Sequence, residues 1–463
     1  DILNALVAGD LLASKDKPPV IAIRSGDQLT NALDGSDLTG TAGLRRIPVN
    51  NSLRTQLRGM VAQLNLSHPD SDKRYDAVQR FIRDGVDGET AALLREHQPT
   101  EESGRVSDAI DAALALFDLQ TGDRDQRMAA IDTLSGSLEQ EARNALRSVA
   151  KNDEDAELRS AAAKAIESIQ GRIEFYRFIE NVFFGLSLGS ILLLAAIGLA
   201  ITFGVMGVIN MAHGEFIMMG AYTGYVVQQW VPNYTASIAV AIPLAFLVTF
   251  SAGVAMERLV IRWLYHRPLE TLLATFGISI ALQQLAKNIF GTQARPLTSP
   301  DWLGGALVFN DVVSISYIRV AIFVLALIFL GVFLFIMNKT RVGLEVRAVT
   351  QNPRMAASMG INPDKINMLT FGLGSGIAGI AGVAIGLYAQ VTSEIGQAYI
   401  VQSFMTVVVG GVGNIWGTLL GATLIGFLQK FIEWFNPSNT LAAQTYMIIF
   451  IIIFIQFRPR GLI

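Results

Sequence analysis

GVMGVINMAHGE, residues Gly204 to Glu215, interrupts a long apolar run that begins near Asn181 and resumes through Phe216 to Trp230. A plain membrane span has no use for glycines, an asparagine, a histidine and a glutamate in close succession. Strongly polar groups at membrane depth are costly, so they face a bundle interior or an aqueous path. Glycine and a capping asparagine suit a helix that stops and restarts, which frees backbone groups that a solute can use. The stretch reads as a broken helix lining a transport path, with Asn210, His213 and Glu215 as path candidates. The plainer alternative is a cytoplasmic turn between two spans.

A second stretch echoes the first. Val409 to Thr418 reads VGGVGNIWGT, again glycines around one asparagine in apolar surroundings. Paired Gly-interrupted segments in two halves of a chain point to a transporter's central site. Gly410, Gly411, Gly413 and Asn414 therefore join the candidate path. The competing reading is glycine for close helix packing.

Outward from these breaks the chain divides in composition. Residues 1–170 carry 20 Lys+Arg against 28 Asp+Glu, and the remainder carries 16 against 11. The first part reads as an acidic soluble domain, 1–171, and the second as a polytopic helical membrane domain, 172–463. Roughly 20 apolar residues cross a bilayer as a helix. Candidate spans are Asn181–Phe203, Gly214–Trp230, Thr235–Met256, Thr271–Phe290, Ile318–Met337, Ile366–Ala389, Ile400–Val412, Ile415–Phe435 and Ala442–Phe457. The count is nine if Ile400–Val412 passes through and eight if it only dips in.

Basic residues set the orientation. Arg258, Arg262 and Arg267, then Lys339 to Lys365, then Arg458 and Arg460, mark three cytoplasmic loops. Counting back, the first span runs inward and the N-terminal domain lies outside. The chain opens at Asp1 without an apolar leader, which fits a mature form whose signal peptide has been removed or a truncated chain.

The largest cytoplasmic loop, 338–365, contains a short helix of its own. Asn352 and Pro353 form an N-cap and N1 pair, Met355 and Met359 lie within or beside it, and Gly360 supplies the stop. A short, partly apolar helix is what a partner protein can grip; otherwise the loop is a solvated connector.

In the N-terminal domain Ile2 to Leu12 reads as a short helix, Pro18-Pro19 as a break, Val20 to Ile23 as a short strand, and the rest up to Asn51 as loops. Beyond it the pattern Asp-x-x-x-Arg-x-x-Ala recurs at Asp70, Asp123 and Asp155. An acid at a helix start, an arginine four residues on and a buried alanine suggest an i,i+4 ion pair on each of several stacked helical hairpins. The pattern resembles HEAT-type repeats, a binding or spacing module, with a plain bundle as the alternative. The fold class is thus all-α: a HEAT-like repeat domain followed by eight or nine membrane spans with broken Gly-rich helices. His68 and His97 are isolated in polar stretches and read as solvated, and the acidic clusters at Asp123 and Asp153 read as helix starts rather than metal ligands.

Several chemistries are excluded or disfavoured. There is no cysteine, so disulfides and thiolate metal sites are out. No phosphate-binding loop with its lysine occurs, so an ATP-driven process needs a separate ATPase. No nucleophile and base pairing suggests an enzyme. Glu257 and Glu270 flank basic residues and read as interfacial.

The run LGSILLLAAIGLAITFGVMGVINMAHGEFIMMGAY, the loop GLEVRAVTQNPRMAASMGI, the segment GGVGNIWGTLLGA and the terminal RPRGL strongly resemble permeases of the branched-chain amino acid type from bacterial ABC importers. The resemblance covers roughly residues 178–463. Within the family the chain is similar to the branch of urea ABC transporter permease subunits. It shares their long extracytoplasmic helical N-terminus, Thr370–Gly382 (TFGLGSGIAGIAG) and the Gln397–Met405 run. The resemblance implies a non-enzymatic subunit of the bacterial inner membrane in contact with lipid, paired with a second related permease and two ATPase subunits. Those ATPases bind ATP and Mg; this chain holds no cofactor and no metal. An extracytoplasmic urea-binding protein would deliver the solute, and no nucleic-acid partner is expected. Arg347, Asn352, Pro353, Arg354, Met355, Met359 and Gly360 would form the coupling helix that docks on an ATPase. Alternatives are a permease for branched-chain amino acids or short amides, and a membrane-anchored receptor or scaffold working through its solenoid.

Overall fold

The computed structural model describes residues 2–14, 20–25, 28–33, 36, 38, 44–265, 267–310, 312–435, 440–459 and 461–462. The chain divides into two compact units, Asp1–Phe175 and Tyr176–Ile463. The expected Pro18-Pro19 break and Arg460 lie outside the described residues.

The first unit opens with α1 (Ile2–Ala8) and then a small antiparallel sheet. Its strands are β1 (Leu11–Ala13), β2 (Ile21–Ser25), β3 (Gln28–Asn31) and β4 (Arg45–Arg46), in the order β3-β2-β1-β4. β2 falls where a strand was expected; the other three occupy stretches read as helix or loop. Each is five residues or shorter, too short for alternation to register in the sequence. Six helices follow: α2 (Asn51–Leu66), α3 (Ser71–Asp84), α4 (Gly88–His97), α5 (Gly104–Thr121), α6 (Arg124–Ser135) and α7 (Gln140–Asn152). The start of α8 (Ala156–Met206) completes the unit.

The repeated Asp-Arg pattern works differently from the expected ion pair. Each aspartate sits outside its helix and is used as a cap: Asp70 accepts from the Asp72 N–H, Asp123 from Gln126 and Asp155 from Glu157. A capping carboxylate is turned toward the amides and away from the next turn. The arginines reach back, as helical side chains do. Arg74 donates to the carbonyls of His68 and Pro69, and Arg159 to those of Asp153 and Glu154. Arg74 and Arg127 also bridge to acids one hairpin on: Arg74 holds Glu101 at 2.7 Å, and Arg127 pairs with Asp153. His68 and His97 border the first of these clusters. The Asp70 N–H donates to His68 Nδ1, and His97 Nε2 lies 3.4 Å from Glu101. Neither is the isolated solvated group expected.

The second unit comprises the apolar remainder of α8 and ten further helices. They are α9 (His213–Trp230), α10 (Tyr234–Leu259), α11 (Pro268–Phe290), α12 (Tyr317–Lys339), α13 (Arg341–Gln351), α14 (Pro353–Ser358), α15 (Pro363–Tyr388), α16 (Ile395–Gly410), α17 (Ile415–Phe435) and α18 (Thr440–Phe457). A hairpin of β5 (Ala306–Val308) and β6 (Ser314–Ser316) precedes α12. Among the described residues six helices, α8, α10, α11, α12, α15 and α17, are long and apolar enough to cross a membrane. α9 is not among them; α16 and the apolar part of α18 are shorter apolar helices.

Lipid tails are as apolar as leucine, so helices inside a bilayer associate through close packing of small residues. α15 shows this along its length. It is buried from Phe371 to Gly386 with one half-buried exception, Leu373, and packs on α8, α9 and α10. A methyl group on Gly220 would overlap the Gly379 backbone, and one on Gly379 would overlap Thr249 of α10. α11 is built the other way round from a soluble helix. Thr271, Thr275, Ser279 and Gln283 are its buried stripe, whereas Leu273, Ile280, Leu285 and Ile289 are exposed.

Candidate functional site

α8 ends at Met206, Gly207 turns with φ +64°, and α9 starts at His213. The restart lies within the bundle. The His213 Nε2 atom is 2.9 Å from the Ala195 carbonyl oxygen, about three turns short of the end of α8. Val208, Asn210, Ala212, His213 and Glu215 are all buried.

A helix broken in this setting leaves backbone donors that must find partners. Asn210 Oδ1 accepts from the Ala212 N–H at 2.9 Å, and Thr275 Oγ1 accepts from the Met211 N–H at 3.1 Å. Asn210 Nδ2 is buried with no partner among the described residues. Glu215, 1% exposed, receives two donors on one oxygen: Ser279 Oγ and Gln283 Nε2, each at 2.8 Å. Its second oxygen has no such partner.

The partners supplied by α11 were not singled out from the sequence. Thr271, Thr275, Ser279 and Gln283 recur at every fourth position of an apolar helix. That spacing puts them on one face and was the available signal. Glu257, expected beside the basic patch, is fully buried within the protein. The Tyr265 hydroxyl donates to it and Arg262 lies 3.8 Å away. Both partners come from the turn just after α10, which folds the basic residue back under the carboxylate. Glu270 is exposed and pairs with Arg267 at 3.0 Å.

The second break has the same construction. α16 stops at Gly410, Gly411 and Gly413 take φ of +105° and +81°, and Asn414 caps α17. Asn414 Oδ1 accepts from the N–H groups of Trp416 and Gly417 at 3.0 and 3.2 Å. The two breaks meet. Gly204 lies against Gly413, where a methyl group on Gly413 would sit 3.2 Å from the Gly204 Cα. The C-terminal segment closes over the same place: the Leu462 N–H donates to the Val409 carbonyl at 2.8 Å.

The loop expected to couple lies next to this junction. Arg347 on α13 donates to the Met337 carbonyl. Asn352 Oδ1 accepts from the Met355 N–H at 3.1 Å, Pro353 opens α14, and Gly360 turns the chain with φ +86°. Arg354 is exposed, and Met355 and Met359 are 61% and 79% exposed. A cavity of about 200 Å3 is lined by Gly204 and Gly413 on one side and by Arg347, Thr350 and Gln351 on the other. The second break and α13 thus share one space with the end of α8. Among the described residues no group of three His, Asp or Glu is placed to hold a metal.

Residues 181–456 match the family model described as branched-chain amino acid transport system / permease component. The high-affinity branched-chain amino acid transport system permease protein BraD of Pseudomonas aeruginosa is 30% identical over 308 residues, covering 63% of this chain and 97% of that protein. LivH of Escherichia coli K12, of the same description, is 26% identical over 301 residues, with 63% and 96% covered. A probable branched-chain amino acid transport permease protein LivH of Methanocaldococcus jannaschii is 25% identical over 259 residues, with 54% and 79% covered. No solved structure matches.

Proposed function

The chain belongs to the branched-chain amino acid transport permease family, and from that premise we propose that it is the membrane-spanning subunit of an ATP-driven importer. Its relatives are transport permease subunits and not enzymes. Branched-chain amino acids, which the relatives' names specify, are the first solutes to consider. The observation that carries the reading is the junction of Gly204 with Gly413 and its shared cavity with α13. A solute path that closes there can be opened by a movement of the cytoplasmic loop. In this reading ATPases grip Arg354, Met355 and Met359, a second permease completes the path, and a binding protein delivers solute from outside. Asn210 Oδ1 and His213 Nε2 are engaged within the chain and so shape the path, whereas Asn210 Nδ2 and the second oxygen of Glu215 have no partner among the described residues and are the groups that would meet the solute.

We also propose nine crossings of the inner membrane with the first unit outside. The helix ends sort into two sets by their contacts. Gly204, Gly413, Val409 and Leu462 meet at one set. Gln228 with Thr298, Thr235 with Trp302, and Lys287 with Glu394 meet at the other. α16 runs from beside Glu394 in the second set to Gly410 beside the first, which supports counting it as a crossing. The first set adjoins the basic loops, which supports placing it inside. The reach-back arginines and their bridges support a HEAT-like stacking of the first unit.

One observation favours a second solute, urea. The match takes in nearly all of each of the first two relatives but only 63% of this chain, and the family model begins at residue 181. The helical first unit is therefore extra to them, as in the urea branch that the sequence resembles. A scaffold role would need one anchor, whereas six helices suit crossing. ATP-dependent uptake of labelled leucine and labelled urea by the reconstituted complex tests all of this. Uptake of leucine alone makes it an amino-acid permease, urea alone moves it to the urea branch, and uptake of neither sinks the importer reading.

A further inference from the structure

The N-terminal parts of α12, α16 and α18, the C-terminal parts of α15 and α17 and a stretch of α8 line a second cavity, of about 210 Å3. It is lined by Arg319, Tyr388, Gln402, Gln429, Lys430 and Gln444 among others. None of these residues takes part in the junction described above. The cavity opens past Gln444, which is exposed.

The charges and donors around it are unevenly used. Lys430 is neutralised by Glu433 at 2.6 Å. Gln429 Nε2 donates to the same carboxylate at 3.2 Å, and Gln429 Oε1, on a residue 6% exposed, is buried with no partner among the described residues. A buried amide oxygen left so forgoes a hydrogen bond that a bound donor would supply. Arg319 shows the complementary vacancy. Its guanidinium is held between the rings of Phe184 and Tyr388, 4.7 Å from each centroid. It gives one N–H to the Tyr388 hydroxyl at 3.0 Å and forms no ion pair among the described residues. A planar cation clamped by two aromatic faces is a rigid donor for an oxygen acceptor.

We propose that this cavity is a solute-binding site of the permease, taking a small molecule that offers an N–H donor to Gln429 Oε1 and a carbonyl or carboxylate oxygen to Arg319. The proposal rests on the importer reading and gives it a place on the entry side of the path. Amino acids and urea both carry that pair of groups. Gln402 and Gln444 add amides that donate and accept, so the site does not require a charged ligand. The volume accommodates a small solute.

The absence of cysteine makes a direct test available. Gln402→Cys in the full complex in membranes gives a single thiol inside the cavity, and Ala398→Cys places one at its exposed lining. Labelling by a small methanethiosulfonate reagent is timed with leucine or urea present. A bound solute slows it about tenfold once its concentration reaches about ten times its Kd. Protection by either solute supports the site and says which source of the shared chemistry it takes. Adding Gln429→Leu should abolish that protection while the thiol stays reactive. Unchanged labelling at both positions with both solutes, from the micromolar through the millimolar range, overturns the site. Uptake by that same complex would still leave the importer reading standing, so the two failures are distinguishable.

Discussion

Gly204 and Gly413 pack backbone to backbone, each at a helix break, although they are far apart in the chain. Gly204 has no room for a β-carbon, and Gly413, with φ +81°, would carry one only tightly and under backbone strain. The contact joins the end of α8 to the turn before α17, and any movement that parts α8 from α16 and α17 must pass through it.

Gly204→Ala should therefore force this junction apart. Overpacking of this kind costs roughly 1–3 kcal/mol. We expect solute uptake to fall by at least about tenfold, with the complex still assembled in the membrane. Gly331→Ala on α12 is the control, since nothing lies within 4 Å of a β-carbon built there. Equal activity of both variants would show that the junction does not gate.

Arg354 and Met355 stand exposed on α14, and neither side chain forms a hydrogen bond or ion pair among the described residues. Changing both to Glu should leave assembly unaltered and remove solute-stimulated ATP hydrolysis. Full stimulation in that variant would sink the coupling assignment.

Glu215 is the acceptor for both Ser279 and Gln283. Glu215→Ala leaves two buried donors unpaired, each costing about 1–3 kcal/mol. The thermal unfolding midpoint of the purified complex should drop clearly. Glu215→Gln keeps an acceptor oxygen and should drop it less. The reverse order would mean that charge, and not hydrogen bonding, holds α9 to α11.

The first unit should be acid-sensitive at one cluster. The Arg74 guanidinium, hydrogen-bonded to Glu101, holds that carboxyl down to about 2, helped by the Ser103 N–H, against an ordinary 4.5. A depressed carboxyl contributes stability that is fully present above pH 4.5 and is lost as pH falls toward 2. Hydrogen-exchange protection of α3 and α5, corrected for intrinsic rates, should decline across that window. Glu101→Gln should have lower protection at neutral pH and a flatter acid response. An unchanged slope would remove Glu101 as the cause.

Much of the second unit was legible in the sequence because bilayers tolerate few solutions. Gly204 to Glu215 could not be an ordinary span, and its break is where the residues placed it. The polar stripe of α11 was equally visible at Thr271, Thr275, Ser279 and Gln283, but its meaning depends on Glu215 facing it, a relation between distant residues. The burial of Glu257 was not legible because its partners, Arg262 and Tyr265, fold back from a turn that spacing alone does not draw. Asp70 and Arg74 misled, since i,i+4 spacing permits a pair that the cap geometry then refuses. The solute stayed undetermined because neutral amides and hydroxyls suit several small molecules.

The inverted face of α11 bears on how the chain reaches its membrane. α11 has a mean hydropathy of 1.3 against 3.2 for α12. α9 carries Glu215 into the bundle before α11 has been made. Glu215 stands in the first turn of α9, and a carboxylate without partners at membrane depth is costly. Neither helix is therefore well suited to enter lipid alone, and each supplies what the other lacks. During synthesis α9 must wait, sheltered by the insertion machinery or by α10, until Ser279 and Gln283 emerge. A ribosome-bound chain stopped before α11 is anchored by α8 and α10 but should leave a Glu215→Cys thiol on α9 reactive toward an aqueous reagent that the finished chain excludes.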